Sequence, residues 1–551
     1  MGAANDPTAA PALSAPVPAK HAMSPHQRAT LAVTCVGFFM VLLDVSIVNT
    51  ALPSIQRNLH ASLSELQWVV DGYTLAFAVL LLTWGSLADR LGRKRFFQAG
   101  MAVFTLGSLL CGLAASPDLL NAARALQGVG GAALAPTSLA LLATAFPEPK
   151  AKIRAIALWA AISGIALGIG PTVGGLLVDG WGWRSVFFVN VPVGVACLVF
   201  GVRALRESKD PAARRIDLPG QLLSIAWLGA LTYGFIERGT HPWGAPEVAV
   251  PLLTGVLLLV AFLGTEARSP EPMLPLSLFG SRLFSATAGV TFMAGFALIS
   301  LPFFIAQYFQ DVQGLSAIQS GLRVLAFTLM FSLLAPLAGR LSARFGFRLP
   351  VALGGLTAGT GMLLLGQITP SSPYRDVAWR LALCGIGFGL MLSPLSASAL
   401  ASVDPRRAGL ASSAANTARQ TGTVVGIALL GALVQNRSAA SAAGALNRLA
   451  PGLRRQVAAV IAHGGGAPAS VTSVVPASHI HQVAGAAFVS GIGAAYTVDG
   501  VVLVAAGVIA ALFLRERRAT RSTGQVPGRA DFPPGAGPEP ALAAVAVGTP
   551  D

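Results

Sequence analysis

Residues 29–53 read ATLAVTCVGFFMVLLDVSIVNTALP, a run in which the one formal charge is Asp44. A helix needs about 20 mainly apolar residues to cross a bilayer, so this run reads as a membrane span. The Ala/Pro-rich residues 1–26 before it read as a disordered tail, and no small-residue cleavage site follows it. The first span is therefore expected to stay with the chain.

Outward from this run the pattern repeats. Further apolar stretches of spanning length fall near 67–87, 97–115, 120–146, 155–178, 184–205, 218–236 and 248–266. Six more follow near 283–308, 318–341, 347–368, 377–401, 408–436 and 487–514. The composition agrees: of 551 residues, 54% are hydrophobic and 11% charged, where a soluble chain carries about a quarter charged. The expected fold class is an all-α membrane protein of fourteen spans.

The net charge of +15 is carried by short clusters between apolar runs and forms no basic face, so no nucleic-acid partner is expected. The clusters instead set orientation. Lys20 and Arg28 precede the first span, Arg90 to Arg95 follow the second, Lys150, Lys152 and Arg154 the fourth, and Arg206, Lys209, Arg214 and Arg215 the sixth. Arg340, Arg344 and Arg348 lie between the tenth and eleventh, Arg406 and Arg407 between the twelfth and thirteenth, and Arg515, Arg517 and Arg518 after the last. With fourteen spans all these fall on one side, the cytoplasm, together with both termini. Arg437, Arg448, Arg454 and Arg455 fall outside, in a Gly/Ala/Ser-rich segment 437–486 long enough to weigh little in the rule. It is expected to be a loosely ordered outer loop with a short surface helix over 446–462.

An internal repeat divides the chain. GSLADRLGRKR at 85–95 aligns with GRLSARFGFR at 339–348, matching Gly85 to Gly339, Arg90 to Arg344 and Gly92 to Gly346. Each follows the second span of a six-span set, as expected of a secondary transporter built from two halves. The predicted organisation is a cytoplasmic tail over 1–28, a six-helix half over 29–205 and a linker over 206–217. Two extra helices with their following loop cover 218–282, a second half covers 283–514, and a disordered cytoplasmic tail covers 515–551.

Charges inside the spans carry the chemistry, since each costs at least about 2.5–3.5 kcal/mol to insert. Three stand out: Asp44, Asp71 in WVVDGYTLA, and Arg124 in NAARALQGVGG. From the predicted span ends, all three lie about 6–9 Å below the outer boundary. For a carboxylate at that depth, loss of water favours the neutral form and a nearby guanidinium the charged form. Asp44 is therefore the expected proton carrier and Arg124 its switchable partner, with Asp71 a second proton site or a contact for cationic substrate. The alternative is a static ion pair that fixes helix register. In the fifth span, GIALGIGPTVGGLL carries Gly164, Gly168, Gly170, Gly174 and Gly175, which permit close helix approach, and Pro171, which bends the helix. A pliable seam is expected there, against simple close packing. In the 85–95 turn, Asp89 adds an anion among Arg90, Arg93 and Lys94, placed for helix N-termini or basic partners. Its counterpart in the second copy is Ala343, so a latch there is one-sided.

Together these stretches resemble the major facilitator superfamily, in its fourteen-helix drug/proton antiporter branch. LDVSIVNTALP resembles that branch's first-helix signature, GSLADRLGRKR the superfamily's loop motif, ARALQGVGGAALAP the fourth-helix motif and GIALGIGPTVGG the antiporter motif. WGWRSVFFVNVPVG at 181–194 and RIDLPGQLLS at 215–224 also fit. The resemblance implies alternating access and proton antiport around a central cavity. It implies coupling through Asp44 and Arg124, gating through Asp89 and Arg90 with Gly85 and Gly92 in the turn, and antiport through Gly170 and Pro171. The spans from 283 to 436 hold no Asp or Glu, with Asp311 at an outer end and Asp404 in a turn, which argues against dicationic substrates. Candidate cavity residues are Asn49, Gln127, Phe303, Tyr308, Asn416, Arg419 and Gln420, with Phe296 and Phe304 beside them.

Other classes fit less well. A nucleotide-driven pump needs a lysine followed by Ser or Thr in a P-loop, and none of the five lysines is so followed. The four cysteines lie in apolar runs without metal-ligand spacing, and His479 and His481 read as a surface pair, so no metal is expected. The expected function is proton-coupled export of drugs, antibiotics or other amphiphiles, with the proton gradient as energy source and no cofactor. Export of a self-made metabolite and a non-transporting sensor on the same scaffold are the alternatives. The expected setting is the bacterial plasma membrane, as a monomer; the Arg-, Ala- and Gly-rich composition suggests a bacterial source rich in G and C.

Overall fold

The computed structural model describes residues 23–210, 217–403, 408–447, 454, 457–458 and 477–514. Among these no strand occurs. The helices are α1 (Pro25–Leu59), α2 (Leu63–Leu91), α3 (Arg93–Leu113), α4 (Pro117–Ala145), α5 (Pro149–Trp181), the short α6 (Ser185–Phe188) and α7 (Asn190–Ala204). Then come α8 (Leu218–Glu237), α9 (Pro246–Glu266), α10 (Arg282–Leu298), α11 (Ser300–Gln307), α12 (Ala317–Phe345), α13 (Arg348–Leu365), α14 (Tyr374–Ala401), α15 (Ala408–Ala445) and α16 (Ala477–Phe513). Local signals start them where they start. Ser24, Ser62 and Ser316 close capping boxes with Gln27, Glu65 and Gln319, and Pro25, Pro117 and Pro246 stand in first turns where a missing N–H costs nothing.

Twelve of the described helical segments are long and apolar enough to cross a bilayer, and α2 is a thirteenth, bent by 52° between Leu81 and Thr83. The 20 residues of α8 reach about 30 Å, the thickness of the hydrocarbon core. Outward faces are apolar, as lipid requires: Leu176, Phe200, Leu253, Leu257, Val260 and Leu333 are all exposed.

The helices outrun the hydropathy spans. α1 continues past 49 to Leu59, through Pro53, because its later turns still bury Leu52 and Ile55 against other helices. Asp44 is thus fifteen residues from the end of α1, not six, and Asp71 and Arg124 stand eight and seven residues into α2 and α4. The outer segment is likewise shorter than predicted. α15 runs on to Ala445 and α16 begins at Ala477, so 437–445 and 477–486 are helical. RSAASAAGA is weakly hydropathic, but alanine is the strongest helix former. Leu446, Val457, Ala458, Ile480 and Val483 bury one another there. The expected helix over 446–462, the tails, part of the 206–217 linker and the 404–407 turn fall largely outside the described residues. With them go Lys20, Arg214, Arg215, Arg406, Arg407, Arg448, Arg455, Arg515, Arg517 and Arg518.

The predicted ninth span is broken. α10 stops at Leu298, α11 starts at Ser300, and a π-helical turn, Tyr308–Val312, closes it. The sixth span is likewise divided at Val189.

Two six-helix sets pack alike. α2 and α3 lie on α4 as α12 and α13 lie on α14, α1 pairs with α5 as α10 pairs with α15, and α7 packs on α3 and α1 as α16 packs on α13 and α10. α8 and α9 pair with each other. α8 rests on α2 and α15 through Gln221 Nε2, which donates to Val79 O (2.9 Å), and Arg238 Nη1, which donates to Asn436 Oδ1 (2.8 Å).

Candidate functional site

Five helices converge on one carboxylate. Asp44 (α1) is wholly buried, and Arg124 (α4) is 1% exposed. Arg124 Nη1 lies 2.6 Å from Asp44 Oδ2. Asp44 Oδ1 accepts from Gln127 Nε2 and from Asn190 Nδ2 of α7, both at 2.8 Å. Both amides also donate to Ser108 Oγ of α3, at 2.6 and 3.1 Å. The guanidinium has other holds: Nε donates to Val69 O of α2 (2.9 Å), Nη1 donates to Gln127 Oε1 (2.6 Å), and Cζ lies 4.3 Å from the Tyr73 ring centre. A buried pair survives desolvation only when its remaining donors and acceptors are used this fully.

Asp71 is not part of this cluster. It is wholly buried on α2, and neither carboxyl oxygen has a hydrogen-bond partner among the described residues. The structure thus brings together two of the three predicted charges. It adds Ser108 and Asn190, which the sequence reading does not single out. Asn190 stands in the quoted stretch 181–194, where an amide inside an apolar run was the available signal.

Beside the cluster, a small cleft of about 80 Å³ opens between the halves. Its walls are Val45, Ser46 and Asn49 of α1, Leu167 and Pro171 of α5, Leu298, Ile299 and Pro302 at the α10–α11 break, and Val324, Phe327, Thr328 and Phe331 of α12. None of these is charged. Of the predicted cavity residues, Asn49 lines it and Gln127 belongs to the ion-pair cluster. The others sit elsewhere. Phe303 and Phe304 are wholly buried edge to face at 4.9 Å, and Tyr308 donates its hydroxyl to Thr369 O at 2.8 Å. Arg419 Nη2 donates to Asn416 Oδ1 at 2.6 Å, Gln420 is buried, and Phe296 belongs to the core. The break at Ile299 decides this face, turning Leu298, Ile299 and Pro302 to the cleft in place of the aromatics.

The α5 glycines serve two neighbours. Gly170 contacts Ser46, and a β-carbon on Gly174 would stand 2.9 Å from Ile47 O, both on α1. One on Gly175 would stand 2.5 Å from Ala317 O, and one on Gly168 3.2 Å from Ser332 Oγ, both on α12 in the other half. Gly164 has nothing within 4 Å of such a carbon. Pro171 O accepts from Thr50 Oγ1 at 3.3 Å and contacts Gly321 of α12.

Hydrogen bonds between the halves gather where α1 ends and α12 begins. Arg57 pairs with Asp311 at 2.8 Å, and Asp179 accepts from the backbone N–H groups of Ala317 and Ile318 at 3.0 and 2.9 Å. Gln310 Nε2 donates to Thr50 O at 2.9 Å, and Gln67 Nε2 to Ile427 O at 2.9 Å.

The turn at 85–95 is held by its own residues and by the start of the linker that follows the first half. Arg93 Nε donates to Asp89 Oδ1 (2.7 Å), and Asp210 N donates to Asp89 O (2.8 Å). Gly92 holds φ +127°, a conformation that favours glycine. Glu207, not singled out from sequence, caps α3 by accepting from Lys94 N and Arg95 N at 3.0 and 3.2 Å.

Sequence comparison matches residues 34–427 to the Major Facilitator Superfamily. The chain is 39% identical over 503 residues to the multidrug resistance protein Stp of Mycobacterium tuberculosis (strain CDC 1551 / Oshkosh), covering 89% of this chain and 92% of the relative. It is 34% identical over 498 residues to the tetracenomycin C resistance and export protein of Streptomyces glaucescens, covering 88% and 91%. Among solved structures, the fold is similar to a bacterial homolog of the human lysosomal transporter Spinster. The TM-score is 0.63 at 18% identity, over 90% of this chain and 98% of the other.

Proposed function

This chain belongs to the major facilitator superfamily and is a multi-pass membrane transporter, and from that premise we propose that it is a proton-coupled antiporter exporting amphiphilic small molecules of antibiotic type. The observation that carries the reading is the Asp44–Arg124 pair, buried next to a cleft whose wall begins at the following residue, Val45. When Asp44 takes up a proton, Arg124 loses its anion but keeps Val69 O, Gln127 Oε1 and the Tyr73 ring. The cost of neutralising the carboxylate is thereby limited, as a carrier that loads and releases a proton requires. Asp71 is a second proton site or a contact for cations.

The uncharged, mostly apolar cleft suits neutral or monocationic amphiphiles. The proton gradient supplies the energy without a cofactor, and the working unit is a monomer. Both termini face the cytoplasm of a bacterial plasma membrane. In that orientation the bonds of Arg57, Asp179, Gln310 and Gln67 close the outer side, and the α5–α12 glycine seam rocks the halves apart. Asp89 and Arg90 of the 85–95 turn steady the inner ends. Export of a self-made metabolite is a second reading by the same mechanism.

The test uses inverted membrane vesicles, ethidium as probe and an imposed pH gradient. Wild-type protein is expected to drive uptake that collapses when the gradient is dissipated. Asp44→Asn is expected to fall to the level of empty vesicles. Undiminished transport by that variant would remove Asp44 from the coupling step.

A further inference from the structure

Asp499 lies in YTVDGVVLV near the middle of α16, wholly buried. Ser300 Oγ, also wholly buried, donates to its Oδ2 at 2.5 Å, and Oδ1 has no partner among the described residues. The titratable groups around it are the Cys384 thiol of α14 and the Tyr496 phenol of its own helix, whose hydroxyl donates to Leu301 O at 3.3 Å. None of these is cationic. An ionised carboxylate with one hydroxyl donor and no counter-charge is costly in such a place.

Its position repeats that of the cluster in the other half. Asn190 stands fourteen residues before the end of α7 at Ala204, and Asp499 fourteen before the end of α16 at Phe513. Asp44 is nineteen residues into α1, and Ser300 eighteen past the start of α10. The first and last spans of each half therefore meet at matching positions through a carboxyl and a neutral partner, exchanged between the spans. Ser300 also opens α11 at the break, and on the other side of that break Leu298, Ile299 and Pro302 line the cleft. Movement of the break would change the cleft wall and the Ser300–Asp499 contact together.

We propose that Asp499, held by Ser300, is a further proton-binding site of this transporter, the C-terminal counterpart of Asp44. The proton comes from water when the break shifts, converting carboxylate to carboxylic acid, and sits on Oδ1, whose lone pairs no protein donor uses. The site adds to the coupling proposed above, and its test does not depend on that coupling.

The test is pH-difference infrared spectroscopy of the full chain in phosphatidylethanolamine–phosphatidylglycerol vesicles. Carboxylic acid C=O bands that come and go with pH are expected in wild type; one component of them is expected to persist in Asp44→Asn and to be lost in Asp499→Asn. Ser300→Ala keeps the carboxyl and is expected to shift both the frequency and the midpoint of that band; it covers the case in which Asp499→Asn does not fold. A band assigned to Asp499 that stays constant across the pH range would overturn the proposal, since the group would then be a fixed neutral one. So would a spectrum unchanged by Asp499→Asn, or a titrating band indifferent to Ser300→Ala. Loss of ethidium transport in Asp44→Asn with the Asp499 band intact would leave both readings standing; intact transport with that band present would sink only the first.

Discussion

Each half of the molecule buries a carboxyl well inside a helix, and the two are furnished very differently. Asp44 accepts from Arg124, Gln127 and Asn190, and Ser108 ties the two amides together. Asp499 has the Ser300 hydroxyl, with a thiol and a phenol nearby. The first site is built to hold a charge, with its counter-charge carried inside the bundle. The second has no cation of its own among the groups that face it. Related helix pairs at matching positions can thus host carboxyls whose charged states differ widely in cost, because helix packing sets position while the donor set decides which form is tolerated.

The difference is sharpest if Arg124 is removed. Arg124→Leu strands Asp44 as a buried charge, and breaking one side of such a pair costs roughly 3–5 kcal/mol. The expected result is a large fall in thermal stability in detergent, much of it regained in the double variant Asp44→Asn/Arg124→Leu. A single variant as stable as wild type would mean that Asp44 carries no charge, and the two halves would then be alike. A smaller effect separates the neutral partners. Asn190→Ala removes a bond to a charged acceptor, worth about 1.5–3 kcal/mol, and Ser300→Ala removes an ordinary one, worth about 0.5–1.5 kcal/mol. Melting curves are expected to rank Asn190→Ala as the more damaging, and the reverse order would undo the contrast.

Much of this was legible in the chain. Apolar runs located the spans, and the high cost of charge in lipid singled out Asp44 and Arg124 as partners. Ser108 and Asn190 left a weaker mark, because neutral polar groups cost little on insertion and are common in membrane helices. Asp499 carries the same signal, a charge inside an apolar run, but it lies in the last span, outside the 283–436 stretch whose lack of Asp and Glu bears on substrate charge. Phe303 and Tyr308 show another limit: an aromatic residue inside a span can face core, cleft or lipid, and the break at Ile299 that settles the matter has no Gly or Pro at the break itself. Span ends were misplaced wherever helices such as α1 and α15 continue past the hydrocarbon, since hydropathy reports the bilayer and not the helix.

The repeated turn offers the finest version of the comparison. Asp89 meets Arg93 across the Gly92 turn, with partly exposed side chains, so the pair is worth about 0.2–1 kcal/mol. Asp89→Ala is therefore expected to barely move the melting temperature, and any larger effect on ethidium efflux would be an effect on gating. In the second copy, Ala343 has Phe347 four residues on, where no ion pair can form. Ala343→Asp is accordingly expected to change neither stability nor transport. If that substitution instead slowed transport, the second turn would hold a latent basic partner, with Arg344 and Arg348 the nearest in sequence. The one-sided latch read from the sequence would then be a matter of one missing carboxylate, with the rest of its structure present in both halves.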